Sequence, residues 1–486
     1  MAHTAAEDIL EHSELKRSIT AKQLYFYVVG DVLGSGIYVL VGLVAAAVGG
    51  AFWMAFLAGV AIATITGLAY AELVTKYPQA AGASLYINKA FRKPILTFFI
   101  TICMLSANMA AVGSLASGFV RYFAGVIGLS EDAVVATLII ALVFIMIITT
   151  INLIGISESV VINVIMTFIE LFGLALIMLI GIIALVTGIG DPAVLTQFSV
   201  EGGGGAKAIA VLSGVSLAFF AMTGFENAAN VAEETIDPAR AFPRALIGGM
   251  LTAGVVYVLV SISAALAIPI ENLSGNTLLE VVRAGILPIP VPVMLVVFGL
   301  IAMIAISNTT LVTVVAQARI LYGMAREDIV PSVFAKVHPT RRSPYVALLF
   351  GAAIVGGLLI IGAALRLSGS EIDIVDRLAT ITVVFLLFIY ALVIVACLKL
   401  RGKDEGPNTY KANTPLLIIG IVGNLAVLIY TVGDDPTSLL WVAGLLAVGL
   451  VLFLLEYFFG KEQLRPPGVE RGDPEAVDPP PSDKEH

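Results

Sequence analysis

Two long apolar segments of this 486-residue chain are interrupted near their middle by glycine next to a hydroxyl residue. This pairing lowers the cost of opening a helix, and the opened ends leave N–H and C=O groups without a helical partner. A half-helix N-terminus suits a carboxylate and free carbonyl groups suit an ammonium, so the two breaks could hold a small zwitterion. The alternative is that the glycines only allow helices to pack closely. The interruptions are Leu33-Gly34-Ser35-Gly36-Ile37 and Met222-Thr223-Gly224-Phe225-Glu226-Asn227.

Three acidic residues, Asp31, Glu170 and Glu226, also lie inside apolar runs. A charged side chain at the centre of a bilayer costs about 2.5–3.5 kcal/mol on insertion scales, so each is a candidate for function. The alternative is that these acids cap opened backbone or accept hydrogen bonds from neighbouring hydroxyl groups. For Glu226 we favour a role in holding the second break or in gating over direct contact with a ligand.

The composition indicates that membrane-spanning helices position these residues. The chain is 59% hydrophobic and 13% charged, with a mean hydropathy of +1.00, far from the averages of soluble domains. Its apolar runs are long enough to cross a hydrocarbon core, and they are continuous rather than alternating, which excludes barrel strands. We therefore predict an all-α integral membrane bundle of twelve transmembrane helices. We number these α1 to α12 and place them near 22–47, 51–75, 96–124, 133–154, 160–188, 207–232, 245–268, 292–325, 344–364, 376–400, 414–432 and 438–460.

The two interruptions fall in α1 and α6, five helices apart. An odd number of crossings between equivalent elements inverts the second unit, as in transporters built from inverted repeats. We therefore predict a five-plus-five inverted repeat with discontinuous helices α1 and α6. The first repeat is placed at 20–190, the second at 207–400, and two added helices at 413–460.

The distribution of lysine and arginine predicts the orientation. With an internal N-terminus, 22 of the 27 basic residues fall in inner loops and tails, as the positive-inside rule expects. The cytoplasmic tails would be 1–19 and 461–486, and the second is charged, proline-rich and expected to be disordered. The sequence thus predicts a multi-pass protein of the plasma membrane with both termini in the cytoplasm.

Four stretches in register resemble the amino acid–polyamine–organocation superfamily of permeases, over roughly 19–460. The resemblance implies alternating access around a central amino acid site. Ser35 and Gly36 would then donate to the substrate carboxylate, and the carbonyl groups of Val32, Phe220 and Thr223 would receive its ammonium, with Phe220 as an aromatic gate. The stretches are 30–38 (GDVLGSGIY), 70–82 with YAEL and PQAAG, 223–244 with TGFE and EETIDP, and 317–326 (QARILYGMAR).

The same resemblance places α5 beside the inner half of α1, where sodium-coupled relatives hold an ion. Our hypothesis is that Glu170, with Asp31 as a possible partner, binds a coupling proton there. We expect Asn108 in α3 to face the substrate side chain, with a helix–helix hydrogen bond as the alternative. The substrate-binding candidates are Val32, Gly34, Ser35, Gly36, Ile37, Asn108, Phe220, Thr223 and Gly224, and the coupling or gating candidates are Asp31, Glu170 and Glu226.

Other classes of protein find less support. The glycine run 202–205 lacks the spacing of a nucleotide-binding loop, the four histidines lie in tails or a loop, and Cys103 and Cys397 lack metal-ligand spacing. We therefore expect no enzyme activity, no cofactor, no metal and no nucleic-acid partner. The partners would be an amino acid, a coupling proton and the lipid bilayer, with the oligomeric state open. Proton symport is favoured, with an amino acid or amine exchanger as the alternative and a channel or receptor as a weaker one.

Overall fold

The computed structural model describes most of the chain. The described residues do not include 1–16, Ser35 and 460–486. The predictions for the first part of the N-terminal tail, for Ser35 as a carboxylate donor and for the disordered C-terminal tail therefore lie outside the described residues. The described residues are 17–34, 36–79, 82–130, 133–154, 156–326, 330–339, 341, 343–369, 374–403, 405–406 and 409–459, without the side chains of 156–160, 374–375 and 452–459.

The described residues form a helical bundle, which confirms the predicted fold class. Eleven helical segments are long and apolar enough to cross a membrane, and Ser438–Val451 is a shorter apolar segment of the helix that follows them. The bounds are α1a Ala21–Leu33, α1b Gly36–Val48, α2 Trp53–Lys76, α3 Pro94–Ile127, α4 Val134–Ile154, α5 Ile156–Val186, α6 Gly204–Ala221, α7 Pro238–Ala267, α8 Val291–Arg326, α9 Tyr345–Leu367, α10 Ile374–Lys399, α11 Thr414–Asp434 and α12 Ser438–Phe459.

The segment 233–244 is charged and contains Pro238 and Pro243, so its sequence predicts a loop or short amphipathic connection in which Glu233 and Glu234 form surface ion pairs with Arg240 or Arg244. The structure differs from this prediction. A 3₁₀ helix, Phe225–Glu234, continues the second half of the α6 crossing, and α7 begins at Pro238. Proline at the first position of a helix has its φ already set and loses no helical hydrogen bond, so the helix extends further than the apolar pattern indicates. The expected ion pairs of Glu234 with Arg240 or Arg244 are also wrong, because Glu234 is buried and pairs with Arg319 of α8.

Packing follows the predicted inverted repeat. Four of the five helices of the first unit pack on their counterparts in the second: α1b on α6, α2 on α7, α3 on α8 and α4 on α9. Other contacts occur in exchanged pairs, so that α3 packs on α10 while α8 packs on α5, and α1a packs on α7 while α6 packs on α2. This pattern is that of two similar units related by a twofold axis, with α1 and α6 meeting at its centre.

Buried charges join helices at the end of the bundle that we predict to face inward. Glu72 in α2 accepts two hydrogen bonds from Arg401, at 3.1 and 2.8 Å, and one from the main-chain N–H of Ala412 at 2.9 Å. The ammonium group of Lys76 donates to the carbonyl of Leu400 at 3.1 Å. These bonds connect α2 to the segment after α10.

The chain before α1a pairs with the end of the α6 crossing at the same end of the bundle. The main-chain N–H groups of Ser18 and Ile19 donate to the carbonyl of Glu234, and the N–H of Ile236 donates to that of Ile19. Together with the pair between Glu234 and Arg319, these bonds link α1a, α6 and α8.

Candidate functional site

The first break separates α1a, which ends at Leu33, from α1b, which begins at Gly36. Gly34 keeps right-handed helical angles and lies tightly against α8, because a Cβ atom there would come 2.0 Å from the hydroxyl oxygen of Thr309. Ile37 is fully buried in the first turn of α1b. The absence of a side chain at Gly34 therefore allows close packing as well as opening of the helix.

The second break lies directly after Ala221, the last residue of α6. Gly224 has φ of +115°, which only glycine adopts readily, and it precedes the 3₁₀ helix. The main-chain N–H and the hydroxyl group of Thr223 both donate to the carbonyl of Phe220, at 3.1 and 2.8 Å. The N–H of Gly224 donates to the carboxylate of Glu226 at 2.9 Å. The side chain of Glu226 thus binds the main chain of the opened turn.

The two breaks touch each other. A Cβ atom on Gly36 would lie 2.0 Å from Cα and 2.3 Å from Cβ of Ala221, so the start of α1b and the end of α6 have no space between them. The hydroxyl group of Tyr257 in α7 lies between the breaks and shares its single proton between the carbonyl of Ala221, at 2.9 Å, and that of Val32. One tyrosine therefore bridges freed carbonyl groups of both discontinuous helices.

Asp31 also connects the two breaks. Its side chain accepts a hydrogen bond from the Asn227 amide at 2.9 Å, and a Cβ atom on Gly224 would lie 2.9 Å from Cγ of Asp31. Its other carboxylate oxygen is buried without a hydrogen-bond partner. Thr309 of α8 donates to the main-chain carbonyl of Asp31 at 3.3 Å.

Glu170 lies beside the first break in a network between α5 and α8. Its carboxylate is fully buried, with one oxygen 3.5 Å from the amide nitrogen of Asn308 and the other without a partner. The main-chain carbonyl of Glu170 accepts from the hydroxyl group of Tyr38 in α1b at 3.0 Å. Asn308 also accepts at 2.9 Å from Asn163, which precedes Glu170 in α5 by seven residues, or about two helical turns. No described basic side chain pairs with Glu170, so its charge has no counter-ion among these residues.

A cavity lies beside the second break, between α3, α6, α8 and α10. The empty space between the lining atoms amounts to about 310 Å³. The centre of a water molecule can occupy only about 20 Å³ of that space. Water fits in this state, whereas an amino acid requires side chains to move apart. The cavity is lined by Asn108, Ala111, Leu115, Phe220, Thr223, Gly224, Glu226, Asn227, Thr309, Thr313, Thr382 and Leu386.

The structure brings some predicted residues to the cavity and leaves others in the walls behind it. Asn108, Phe220, Thr223, Gly224 and Glu226 line the cavity. The breaks themselves contain Val32, Gly34, Gly36 and Ile37, which lie outside the lining, and Asp31 and Glu170 lie next to the first break.

Sequence reasoning missed several residues that complete the site. The missed residues that bridge the breaks or line the cavity are Tyr257, Thr309, Thr313 and Thr382, and Asn227 is named in the second interruption without a predicted role in the site. Their only signal is a hydroxyl or amide group inside an apolar helix, which is also typical of ordinary packing between membrane helices.

Known membrane proteins are similar to this chain over most of its length. A family model described as amino acid permease matches residues 19–454. The branched-chain amino acid permease BcaP of Bacillus subtilis is 28% identical over 469 residues, which cover 91% of this chain and 93% of BcaP. The inner membrane transport protein YbaT of Escherichia coli is 24% identical over 436 residues, which cover 88% of this chain and 93% of YbaT.

A solved structure has the same architecture. The crystal structure of MhsT in complex with L-phenylalanine is similar with a TM-score of 0.65 at 16% identity, covering 86% of this chain and 100% of that chain. At this level of identity the likeness establishes the fold. It agrees with the five-plus-five packing described above.

Proposed function

This chain belongs to the amino acid permease family, and we propose that it is a secondary active transporter that carries amino acids across the plasma membrane by alternating access. The observation that carries the proposal is the contact between Gly36 and Ala221, which holds the first break against the second, and the second break lines the cavity. Main-chain groups freed at such breaks recognise features that all amino acids share.

We assign the carboxylate of the substrate to the N-terminus of α1b. The first N–H groups of a helix have no helical acceptor, and the helix dipole favours an anion there. Ser35 and Gly36 are the proposed donors, flanked by Gly34 and Ile37.

We assign the ammonium to carbonyl oxygens at the two breaks. Val32 already accepts from Tyr257, but a carbonyl oxygen has two lone pairs and can accept a second hydrogen bond. Phe220 accepts from Thr223 in the same way. The ammonium would add to these bonds, with Phe220 and Gly224 moving as the cavity widens.

The contacts at the predicted inner face support a closed inner side in this state. Arg319 and Glu234 are both nearly buried, and the main chain at Ser18 and Ile19 pairs with the segment that ends the α6 crossing. Release of a substrate to the inside requires α1a to separate from that segment. We propose that rupture of these bonds accompanies inward opening.

We further propose that Glu170, assisted by Asp31, carries the coupling proton. Each carboxyl group has one buried oxygen without a hydrogen-bond partner, and an ionised carboxylate is expensive to bury unless it is paired. Both groups lie against the first break, Glu170 through Tyr38 and Asp31 through Thr309. Proton uptake there can therefore be linked to the arrangement of α1.

An amino acid or amine exchanger is the second candidate function. Symport and exchange differ in whether the empty carrier reorients, so the same site serves both.

The proposed arrangement is a first repeat at 20–190, a second at 207–400, added helices at 413–460, and both termini in the cytoplasm.

Uptake by purified protein in liposomes tests the proposal. An inward pH gradient should drive saturable accumulation of a labelled amino acid in empty vesicles if the protein is a symporter. Accumulation that needs an amino acid inside the vesicles, and ignores the pH gradient, would identify an exchanger. Flux that does not saturate would favour a channel and contradict the proposal.

A further inference from the structure

The amide nitrogen of Asn108 is an unused hydrogen-bond donor at the cavity. The side chain belongs to α3, is 5% exposed, lines the cavity, and its Nδ2 atom has no hydrogen-bond partner. A buried amide without a partner is destabilising. The position therefore suits a ligand that brings an acceptor.

The hydroxyl protons around the cavity are already committed. Thr309 donates to the carbonyl of Asp31, and Thr313 donates to the carbonyl of Thr309 at 2.9 Å. Thr382 donates to the carbonyl of Leu378 at 2.8 Å. Each of these hydroxyl groups can accept a further hydrogen bond but has no proton left to donate.

At the second break, too, side-chain donors are already used while an acceptor is free. Thr223 donates to Phe220, and the amide of Asn227 donates to Asp31 while its own oxygen lacks a partner. Apart from carboxyl groups, the lining, which is described in full, offers several acceptors, and Nδ2 of Asn108 is the one side-chain donor nitrogen in it that has no hydrogen-bond partner. A matching substrate side chain brings an acceptor to Asn108 of α3 and a donor to one of the acceptors around it.

We propose that the side-chain end of this site selects small amino acids that bear a hydroxyl group, threonine and serine, with Asn108 as the specificity-determining residue. This inference rests on the proposed function. The substrate hydroxyl accepts from Nδ2 of Asn108 and donates to a threonine oxygen of the lining. The methyl group of threonine meets the apolar part of the lining, which includes Ala111, Leu115 and Leu386.

Discrimination follows from the pairing of polar groups. Valine has nearly the shape of threonine but leaves the amide of Asn108 unpaired, and a site that hydrogen-bonds a substrate hydroxyl disfavours the analogue without it. We expect threonine to bind about 10- to 100-fold more tightly than valine, and serine more tightly than alanine in the same sense.

The alternative place for the amide is on the carboxylate of the substrate. In that arrangement the loss of Asn108 weakens binding of every amino acid by a similar factor. In the arrangement proposed here, Asn108→Leu lowers the affinity for threonine and serine and leaves that for valine equal or improved. Asn108→Ser retains a hydroxyl donor and should keep part of the preference.

The experiment measures inhibition constants of unlabelled threonine, valine, serine and alanine against labelled amino acid uptake into proteoliposomes. Wild-type protein, Asn108→Leu and Asn108→Ser are compared. For a variant that does not transport, binding of the same four amino acids is measured in detergent by thermal shift. A preference for threonine that Asn108→Leu removes supports the inference. Valine bound as tightly as threonine by wild-type protein, or an equal loss for all four amino acids in Asn108→Leu, overturns it. The absence of uptake or binding of any amino acid would instead contradict the proposed function.

Discussion

Gly36 at the start of α1b lies directly against Ala221 at the end of α6, with only 2.0 Å between the position of a Cβ atom on Gly36 and Cα of Ala221. Backbone rather than a flexible side chain occupies this space, so the contact tolerates no larger residue. The two discontinuous helices are therefore held together at the point where the proposed site lies.

Gly36→Ala should impair transport, because the added methyl group must push α1b away from α6. Overpacking of this kind costs ~1–3 kcal/mol, which corresponds to about a 5- to 150-fold loss of affinity or rate. Initial rates of uptake in proteoliposomes measure the effect. Gly357→Ala in α9 is the matched control, because nothing lies within 4 Å of the position of its Cβ atom. Equal rates for the two variants would argue against a tight contact between the breaks.

Tyr257→Phe should also reduce uptake, by about tenfold, because it leaves two buried carbonyl groups without their hydroxyl donor. The aromatic ring remains, so packing changes little. Tyr430→Phe, which removes an exposed hydroxyl group 3.5 Å from Asp434, provides the comparison. If both variants transport as wild-type protein does, the bridge between Val32 and Ala221 has no part in transport.

Glu170→Gln should abolish accumulation driven by a pH gradient while counterflow of amino acid between the two sides persists. The amide has nearly the same shape but cannot exchange a proton. Proton-driven and counterflow uptake are measured on the same vesicles. Unchanged pH-driven accumulation in this variant would contradict the role of Glu170.

Glu405→Gln serves as the control for that experiment. The hydrogen bond from Lys411 lowers the pKa of Glu405 to about 2, from its usual value of 4.5, with a smaller contribution from the N–H of Gly402. The folded-state pKa is depressed, so the ion pair contributes stability that is present above about pH 4.5 and is lost as the pH falls toward 2. Between pH 5 and 8 Glu405 stays ionised, and its replacement should leave the pH profile of uptake unchanged.

Glu72→Gln should destabilise the protein. Glu72 is fully buried and accepts from Arg401 and Ala412, and removing one partner of a buried pair costs ~3–5 kcal/mol. The Tm in detergent should fall clearly below that of wild-type protein. Asp237→Asn is the control, since the ion pair of Asp237 with Arg240 is exposed and contributes about 1 kcal/mol or less. A Tm for Glu72→Gln equal to that of the control would show that the buried cluster does not stabilise the bundle.

The sequence predicts the membrane helices well, because their apolar runs are long and their charges lie in loops. The positions of both breaks follow from Gly34 and Gly224, because each lies beside a hydroxyl residue near the middle of an apolar run and the two runs are five helices apart. The start of α7 at Pro238 is harder to predict, because a charged first turn resembles a loop until its capping geometry is known.

The side-chain half of the site is less accessible to sequence reasoning. Asn108, Thr313 and Thr382 come from three helices that are distant in the chain, and only the fold brings them to one cavity. The partner of Glu234 is Arg319 rather than a nearby arginine for the same reason. Long-range contacts of this kind depend on helix rotation and depth, which an apolar pattern leaves undetermined.

A cryo-electron microscopy map of the purified full chain with a transported amino acid tests the central claim most directly. We predict density for the ligand between the breaks, with its carboxylate at the N-terminus of α1b and its ammonium near the carbonyl groups of Val32 and Phe220. Density for the ligand elsewhere, or α1 and α6 as continuous hydrogen-bonded helices with no ligand between them, would contradict the account.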